Sequence, residues 1–190
     1  MRLDRASLSA LAVESVRAPR VAARRLLGLR TGTALALPAL AAAASLSALF
    51  SSVMLFILPV VAEPGMLDGI LSRPLLLAGM QALGLALLAL LVTAVGRVFG
   101  GRGRLMDAIL LLSWVDFLFL MAEAALTLLT LAIPGLGVSL TLVVAGASVW
   151  LTASFIAELH GFSSTLGVAA ALIGAFVLFF VALMQIAPPL

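Results

Sequence analysis

The stretch Leu105–Ile133 constrains the fold of this chain most, because it is long and apolar and still carries acidic residues. As a helix that rises about 1.5 Å per residue it is roughly 43 Å long, which exceeds the hydrocarbon core of a bilayer, about 30 Å. Asp116 and Glu123 lie within about 6 Å of its midpoint and, being seven residues apart, on one helical face. We therefore predict a tilted or protruding transmembrane helix whose acidic face is turned towards protein or trapped water and away from lipid.

Asp116 and Glu123 admit two interpretations. Each central carboxylate costs roughly 2.5–3.5 kcal/mol on insertion, which the Leu, Ile, Phe and Val residues of the stretch about offset. In the first interpretation both acids are protonated and hydrogen-bonded to Ser and Thr of neighbouring helices, with the hydroxyls of the fourth predicted span as candidate partners. In the second interpretation they form a proton or cation pathway.

The remaining apolar stretches make the chain a multi-pass membrane protein. Hydrophobic residues are 64% of the 190 residues and charged residues only 10%, against about 25% charged in average soluble proteins. We predict an all-α protein, one bundle of five transmembrane helices preceded by a short basic interfacial segment at residues 1–32. The transmembrane domain, 33–190, is expected to have its spans at about 33–61, 74–99, 105–133, 136–159 and 166–187.

The arginines predict the orientation of the bundle. All eleven basic residues are Arg, which, with the abundant Ala, Leu and Gly, is typical of a GC-rich bacterial genome. Seven precede the first span and three lie at the turn between the second and third spans, whereas the link between the first two spans has only Arg73. Because positively charged loops stay in the cytoplasm, we expect a bacterial inner-membrane protein with its amino terminus in the cytoplasm and its carboxyl terminus outside.

Pro19 divides the basic segment into two short pieces. Each piece could lie as a helix in the headgroup layer, with arginine side chains extending towards anionic lipid. Docking of a membrane-protein partner on the same residues is the alternative. The lipid-facing or partner-facing candidates are Arg17, Arg20, Arg24 and Arg25.

A second group of charges surrounds the Gly-rich turn at 100–103 and the link after the fourth span. Asp107 could pair with an arginine of the turn, and Arg97 with Asp107 could serve as a gate. Glu158 and His160 are two residues apart and so not on one helical face, and a lone histidine at a helix end is more typical of a capping or dipole contact than of a ligand. The candidates for pairing or gating on the cytoplasmic face are Arg97, Arg102, Arg104, Asp107, Glu158 and His160.

The sequence contains no arrangement that indicates an enzyme. It has no cysteine and a single histidine, which excludes a thiolate or multi-histidine metal site. It has neither a nucleophile with its base nor a phosphate-binding G-x-x-x-x-G-K-[ST] loop. A few arginines in a chain with hardly any other charge are not a nucleic-acid signature. We expect no catalytic activity, no cofactor, no metal and no nucleic-acid partner.

Several diffuse motifs run along the chain. They are APRV at 18–21, FGGRG at 99–103, Trp114, and AELHGF at 157–162. With the Arg-rich leader, this pattern resembles the Yip1-domain family of membrane proteins in its short bacterial form. The likeness covers nearly the whole chain, best from Gly96 onward, and implies a five-span bundle with a cytoplasmic amino terminus.

Eukaryotic members of the family that this chain resembles are associated with vesicle trafficking and with binding prenylated Rab-type small GTPases. This chain has no Tyr, so their Tyr-Gly-Pro and Gly-Tyr signatures are absent, and no functional residue is transferred. We expect a non-enzymatic membrane scaffold or accessory subunit, linked to membrane organisation or trafficking, that holds lipid, a membrane-protein partner or a second copy of itself. The alternative is a small transporter or proton or ion channel that uses Asp116 and Glu123.

Overall fold

The computed structural model describes most of the chain, namely residues 5–29, 33–57, 73–133, 135 and 137–186. The described residues form seven α-helices and no strand: α1 Arg5–Arg17, α2 Pro19–Leu27, α3 Thr33–Ile57, α4 Pro74–Val98, α5 Leu105–Ala132, α6 Gly137–His160 and α7 Thr165–Ile186. The predicted all-α fold class is therefore confirmed. The end of the first predicted span, most of the link before Arg73 and the carboxyl-terminal tail lie outside the described residues.

Five of these helices, α3 to α7, are long and apolar enough to cross a membrane. Each begins within one residue of the start of a predicted span. Prolines mark two helix starts, since Pro19 and Pro74 occupy the first positions of α2 and α4, where the missing N–H costs nothing. The apolar lengths and the turn residues between them were therefore sufficient to locate the spans.

The central helix of the bundle is α5. It packs against α3 and α4 on one side and against α6 and α2 on the other. The last helix, α7, packs mainly against α6. A side chain on α5 can therefore meet the first two spans or the fourth, depending on the face it occupies.

The apolar core lies in the half of the bundle that contains α2, the first half of α5 and the last half of α6. Residues 108–112 of α5 are all buried, so this part of the helix is enclosed on every side. Ala22, Ala23 and Leu26 insert from α2, and Phe155 of α6 is only 1% exposed. The second piece of the basic segment is thus part of the protein core, in addition to any contact it makes with lipid headgroups.

Candidate functional site

A cavity of about 400 Å³, with apolar and polar side chains in its lining, lies between α3, α4 and α5, near the middle of these helices; we call it the polar cavity after its acids and amide. Asp116 and Glu123 both line it, in keeping with their position on one face of α5. The first two spans contribute further polar side chains, Ser47, Ser51 and Gln81. The structure therefore brings the two acids together in one space and adds partners from two other helices.

Asp116 is held by a hydrogen bond from Ser47, whose Oγ donates to Oδ2 at 3.1 Å. Ser47 belongs to α3, so this partner comes from the first span, whereas the candidate partners named from the sequence are hydroxyls of the fourth span. On α6 the hydroxyls of Thr141, Ser148 and Ser154 donate to carbonyls of their own helix, one turn earlier. The reason is the arrangement of the helices, since α3 and α4, rather than α6, lie against the acidic face of α5.

Glu123 and Gln81 leave acceptor atoms facing this cavity. Glu123 is an exposed residue about two turns beyond Asp116. The buried Oε1 of Gln81 accepts no hydrogen bond from the described residues. Because hydrocarbon offers no hydrogen-bond donors, polar groups at this depth require water, a cation or a partner's side chain. Sequence reasoning did not select Gln81, although an amide within the apolar helix α4 is the same kind of signal as an acid within α5.

Most of the other predicted residues lie in or beside one end of the bundle, which we call the basic end: α2, the turn at 99–104 and the carboxyl end of α6. Both α4 and α6 are followed by a glycine with positive φ, Gly100 at 83° and Gly161 at 74°. The next residue in each case returns its N–H to a helix carbonyl at 2.8 Å, which is the Schellman motif. The N–H of Arg102 donates to the carbonyl oxygen of His160 at 3.3 Å, so the two helix ends are joined directly.

His160 fills a space formed by three glycines. The residue is 2% exposed, and a Cβ atom at Gly96, Gly101 or Gly103 would overlap its imidazole ring. The N–H of Gly103 donates to Nδ1 at 3.3 Å, and we therefore assign the proton of the neutral ring to Nε2. Nε2 makes no hydrogen bond of good geometry with the described residues, although the backbone of Val92 lies beside the ring. The imidazole thus joins the ends of α4 and α6 through its packing and through the hydrogen bond from Gly103.

Arg20 attaches α2 to the carboxyl end of α6. Its Nε donates to Oε2 of Glu158 at 3.0 Å, while Nη2 and Nη1 donate to the carbonyl oxygens of Phe162 at 2.7 Å and Ser163 at 3.1 Å. Arg24 adds a longer contact, 3.6 Å, between its Nε and Oε1 of Glu158. A cation at this position also complements the negative end of the α6 dipole. Glu158 therefore acts as an anchor for the amino-terminal segment.

The other two of the four candidate arginines, Arg17 and Arg25, differ in their contacts. Nη1 of Arg25 lies 3.2 Å from Oε2 of Glu14, so α1 and α2 are linked by an ion pair. Arg17 is exposed and forms no ion pair with the described residues. Three of the four predicted lipid-facing or partner-facing arginines thus contact acids of this chain.

The arginines around the α4–α5 turn remain close to the surface. Nε of Arg97 donates to the carbonyl oxygen of Gly103 at 3.4 Å, while Arg102 and Arg104 are exposed. Asp107 lies in the first turn of α5, where the helix dipole favours a negative charge. Within the described ranges no arginine is at ion-pair distance from Asp107, so the structure records no Arg97–Asp107 pair.

Trp114 holds α1 against the bundle. Its Nε1 donates to Oγ of Ser15 at 2.9 Å, and that hydroxyl donates to the carbonyl oxygen of Leu11 at 2.8 Å. Ser15 is fully buried. Sequence reasoning missed Ser15 because a serine in a polar leader carries no signal of burial.

Five helices that can span a bilayer, with polar side chains gathered at their middle, define a multi-pass integral membrane protein. In the part of the chain that the structure describes, no group of three His, Asp or Glu side chains could hold a metal ion. The model of the Yip1 domain matches residues 13–186, nearly the whole chain, and the chain belongs to the Yip1-domain family. The family predicted from the motifs is therefore confirmed. No curated protein and no solved structure shows a significant match to this chain.

Proposed function

We propose that this Yip1-domain protein is a non-enzymatic scaffold or accessory subunit that holds a membrane-protein partner, or a second copy of itself, within the bilayer. The observation that carries the proposal is the polar cavity between α3, α4 and α5. Its acceptors on Asp116, Glu123 and Gln81 outnumber the donors that the described residues direct at them, since Asp116 has the Ser47 hydroxyl and Gln81 Oε1 has no donor.

A partner helix that carries a hydroxyl, an amide or a cationic side chain would satisfy these acceptors. Interhelical hydrogen bonds of this kind contribute about 0.6–2 kcal/mol each in membranes. A non-catalytic role is supported by the basic end, where Glu158 forms an ion pair with Arg20 and His160 fills the space between glycines. Membrane organisation or trafficking is the process we propose from the family resemblance.

The proposal includes a bacterial inner membrane, with the amino terminus in the cytoplasm and the carboxyl terminus outside. The distribution of arginines supports this orientation. It is also supported by the meeting of Arg20, Arg102 and the carboxyl end of α6 at one end of the bundle. With that end in the cytoplasm, the exposed arginines, Arg17 among them, would contact anionic lipid headgroups.

Affinity purification in mild detergent tests the scaffold role. The wild-type chain is expected to retain a stoichiometric partner or to form a dimer, and Gln81→Leu and Glu123→Leu are expected to weaken that association. Gln185→Leu is the matched control, because Gln185 is exposed on α7 and does not line the cavity. A wild-type chain recovered alone as a monomer, or an association unaffected by both cavity variants, would contradict the proposal.

Proton or cation transport is the second candidate function. The observation that favours it is that two carboxyl groups, Asp116 and Glu123, line the same cavity at the middle of the bundle. If the chain transports protons or cations in proteoliposomes, the double variant Asp116→Asn, Glu123→Gln should abolish the flux. Glu14→Gln, which changes an acid on α1 outside the cavity, should preserve it. Absence of flux in the wild type would remove this candidate.

A further inference from the structure

We propose that the groove between α1 and the α5–α6 pair binds one anionic phospholipid, with an acyl chain in the groove and the phosphate on Arg17. This inference deepens the anionic-lipid part of the proposed function and rests on it. The proposed function has the exposed arginines attract anionic headgroups at the membrane surface in general, whereas this inference assigns one lipid to one defined site.

The groove has a volume of about 580 Å³ and is separated from the polar cavity by Phe119, which lines both. Its walls are mainly apolar, with Val13 and Val16 on α1, Met121 on α5 and Val144 on α6. The hydrogen bond between Trp114 and Ser15 fixes α1 near α5, while the main packing of α1 is with α2. The space that remains between α1 and the spans is therefore a slot with an apolar lining.

The depth of the groove determines what can fill it. The groove extends towards the middle of the membrane-spanning helix Leu105–Ala132, where Leu118 and Ala122 form its α5 wall, whereas Arg17 lies at the end of α1 that leads into α2 and the basic end. A water molecule needs several polar partners, and an apolar space does not provide them. At this depth in a bilayer the available apolar occupant is the hydrocarbon chain of a lipid.

Arg17 supplies charge complementarity at the α1 wall of the same groove. Arg20, Arg24 and Arg25 form ion pairs with acids of this chain, whereas Arg17 is exposed and forms none with the described residues. Glu14, the acid on the same helix, is paired with Arg25. A guanidinium group binds phosphate through two parallel hydrogen bonds, and an unbalanced cation favours a headgroup with net negative charge.

Native mass spectrometry of the full chain tests the site. The protein is reconstituted in nanodiscs of phosphatidylcholine, of phosphatidylglycerol, or of equal parts of both, and is then released in mild detergent. From the mixture, the wild type is expected to retain one lipid per chain and to prefer phosphatidylglycerol about tenfold, which corresponds to about 1.4 kcal/mol. Equal retention of the two lipids by the wild type would overturn the proposal.

Two variants separate the parts of the site. Arg17→Gln should remove the preference for phosphatidylglycerol, and Ala147→Phe, which fills the groove from α6, should lower retention of both lipids. Arg102→Gln is the control, because Arg102 is an exposed arginine at the α4–α5 turn, outside the groove. If Arg102→Gln reduced the preference for phosphatidylglycerol as much as Arg17→Gln does, the arginines would attract anionic lipid only through surface charge. That result would reject the lipid site. It would not contradict the proposed function, which is tested separately by partner association. Because Arg17 is exposed, its substitution is not expected to prevent folding.

Discussion

His160 shows how one side chain can depend on the absence of others around it. The imidazole lies where Gly96, Gly101 and Gly103 leave room, and a Cβ at Gly103 would stand 2.6 Å from its Cε1. Close packing of this kind tolerates little added volume, since each extra carbon must displace an atom already in contact. Glycine at these positions is therefore required by the ring beside it.

Gly96→Ala is expected to destabilise the protein by about 1–3 kcal/mol, because the added methyl group overlaps the His160 ring. The measurement is the midpoint of thermal unfolding in detergent. Gly79→Ala is the matched control on the same helix; its Cβ would meet nothing within 4 Å, and the change should be neutral or stabilise by up to about 1 kcal/mol.

A double variant, Gly96→Ala with His160→Ala, isolates the clash. Removing the ring should make the added methyl group less costly than it is beside His160, so the two changes should be non-additive. Equal unfolding midpoints for Gly96→Ala and Gly79→Ala would show that the ring moves aside at no cost.

At the scale of elements, α1 and α2 are held by different interactions. The shorter helix, α2, has buried alanines in the core and is attached to α6 by Arg20, so several contacts oppose its release. By contrast, α1 packs mainly on α2 and reaches α5 through the hydrogen bond between Trp114 and Ser15. We therefore expect α1 to detach from the spans before α2 does.

Trp114→Phe is expected to loosen α1 while leaving the spans folded. The change removes the Nε1 donor, and a hydrogen bond of this kind contributes about 0.5–1.5 kcal/mol. Limited trypsin digestion of the detergent-solubilised protein should then cut faster after Arg17. Trp150→Phe, which alters a half-exposed indole on α6, is the control. Unchanged cleavage in Trp114→Phe would show that α1 is held by its packing alone.

At the scale of the whole molecule, the proposed topology of five spans would place the two termini on opposite sides of the membrane. The charged groups of α2, the α4–α5 turn and the carboxyl end of α6 meet at the basic end, so the positive charge of the amino-terminal half is concentrated on one side. The proposed orientation puts this side in the cytoplasm.

Cysteine labelling is well suited to test the orientation, since the natural chain contains no cysteine. With Leu190→Cys, a membrane-impermeant maleimide added to intact spheroplasts is expected to label the protein. With Arg102→Cys, labelling is expected only after the membrane is permeabilised. Labelling of both variants from the same side would exclude five spans with this topology.

The sequence by itself determined the all-α class, the number of spans and where they begin, the family, and the common face of Asp116 and Glu123. These features depend on local quantities: the length of apolar runs, the positions of proline and glycine, and the rise and period of one helix. The same reasoning left Gln81 and Ser15 unselected, because polar residues in isolation do not reveal which of them will be buried together.

Only the tertiary structure decided which helices meet. It paired Asp116 with Ser47 of the first span instead of the fourth, placed His160 among glycines of another helix end, and brought Arg20 to Glu158, 138 residues away. Hydroxyl groups occur on more than one span, so the helical period alone is compatible with several pairings between the acids of α5 and the other helices. The choice among them depends on how the five apolar helices pack, because the neighbours of α5 determine which of its polar groups find a partner and which face the cavity.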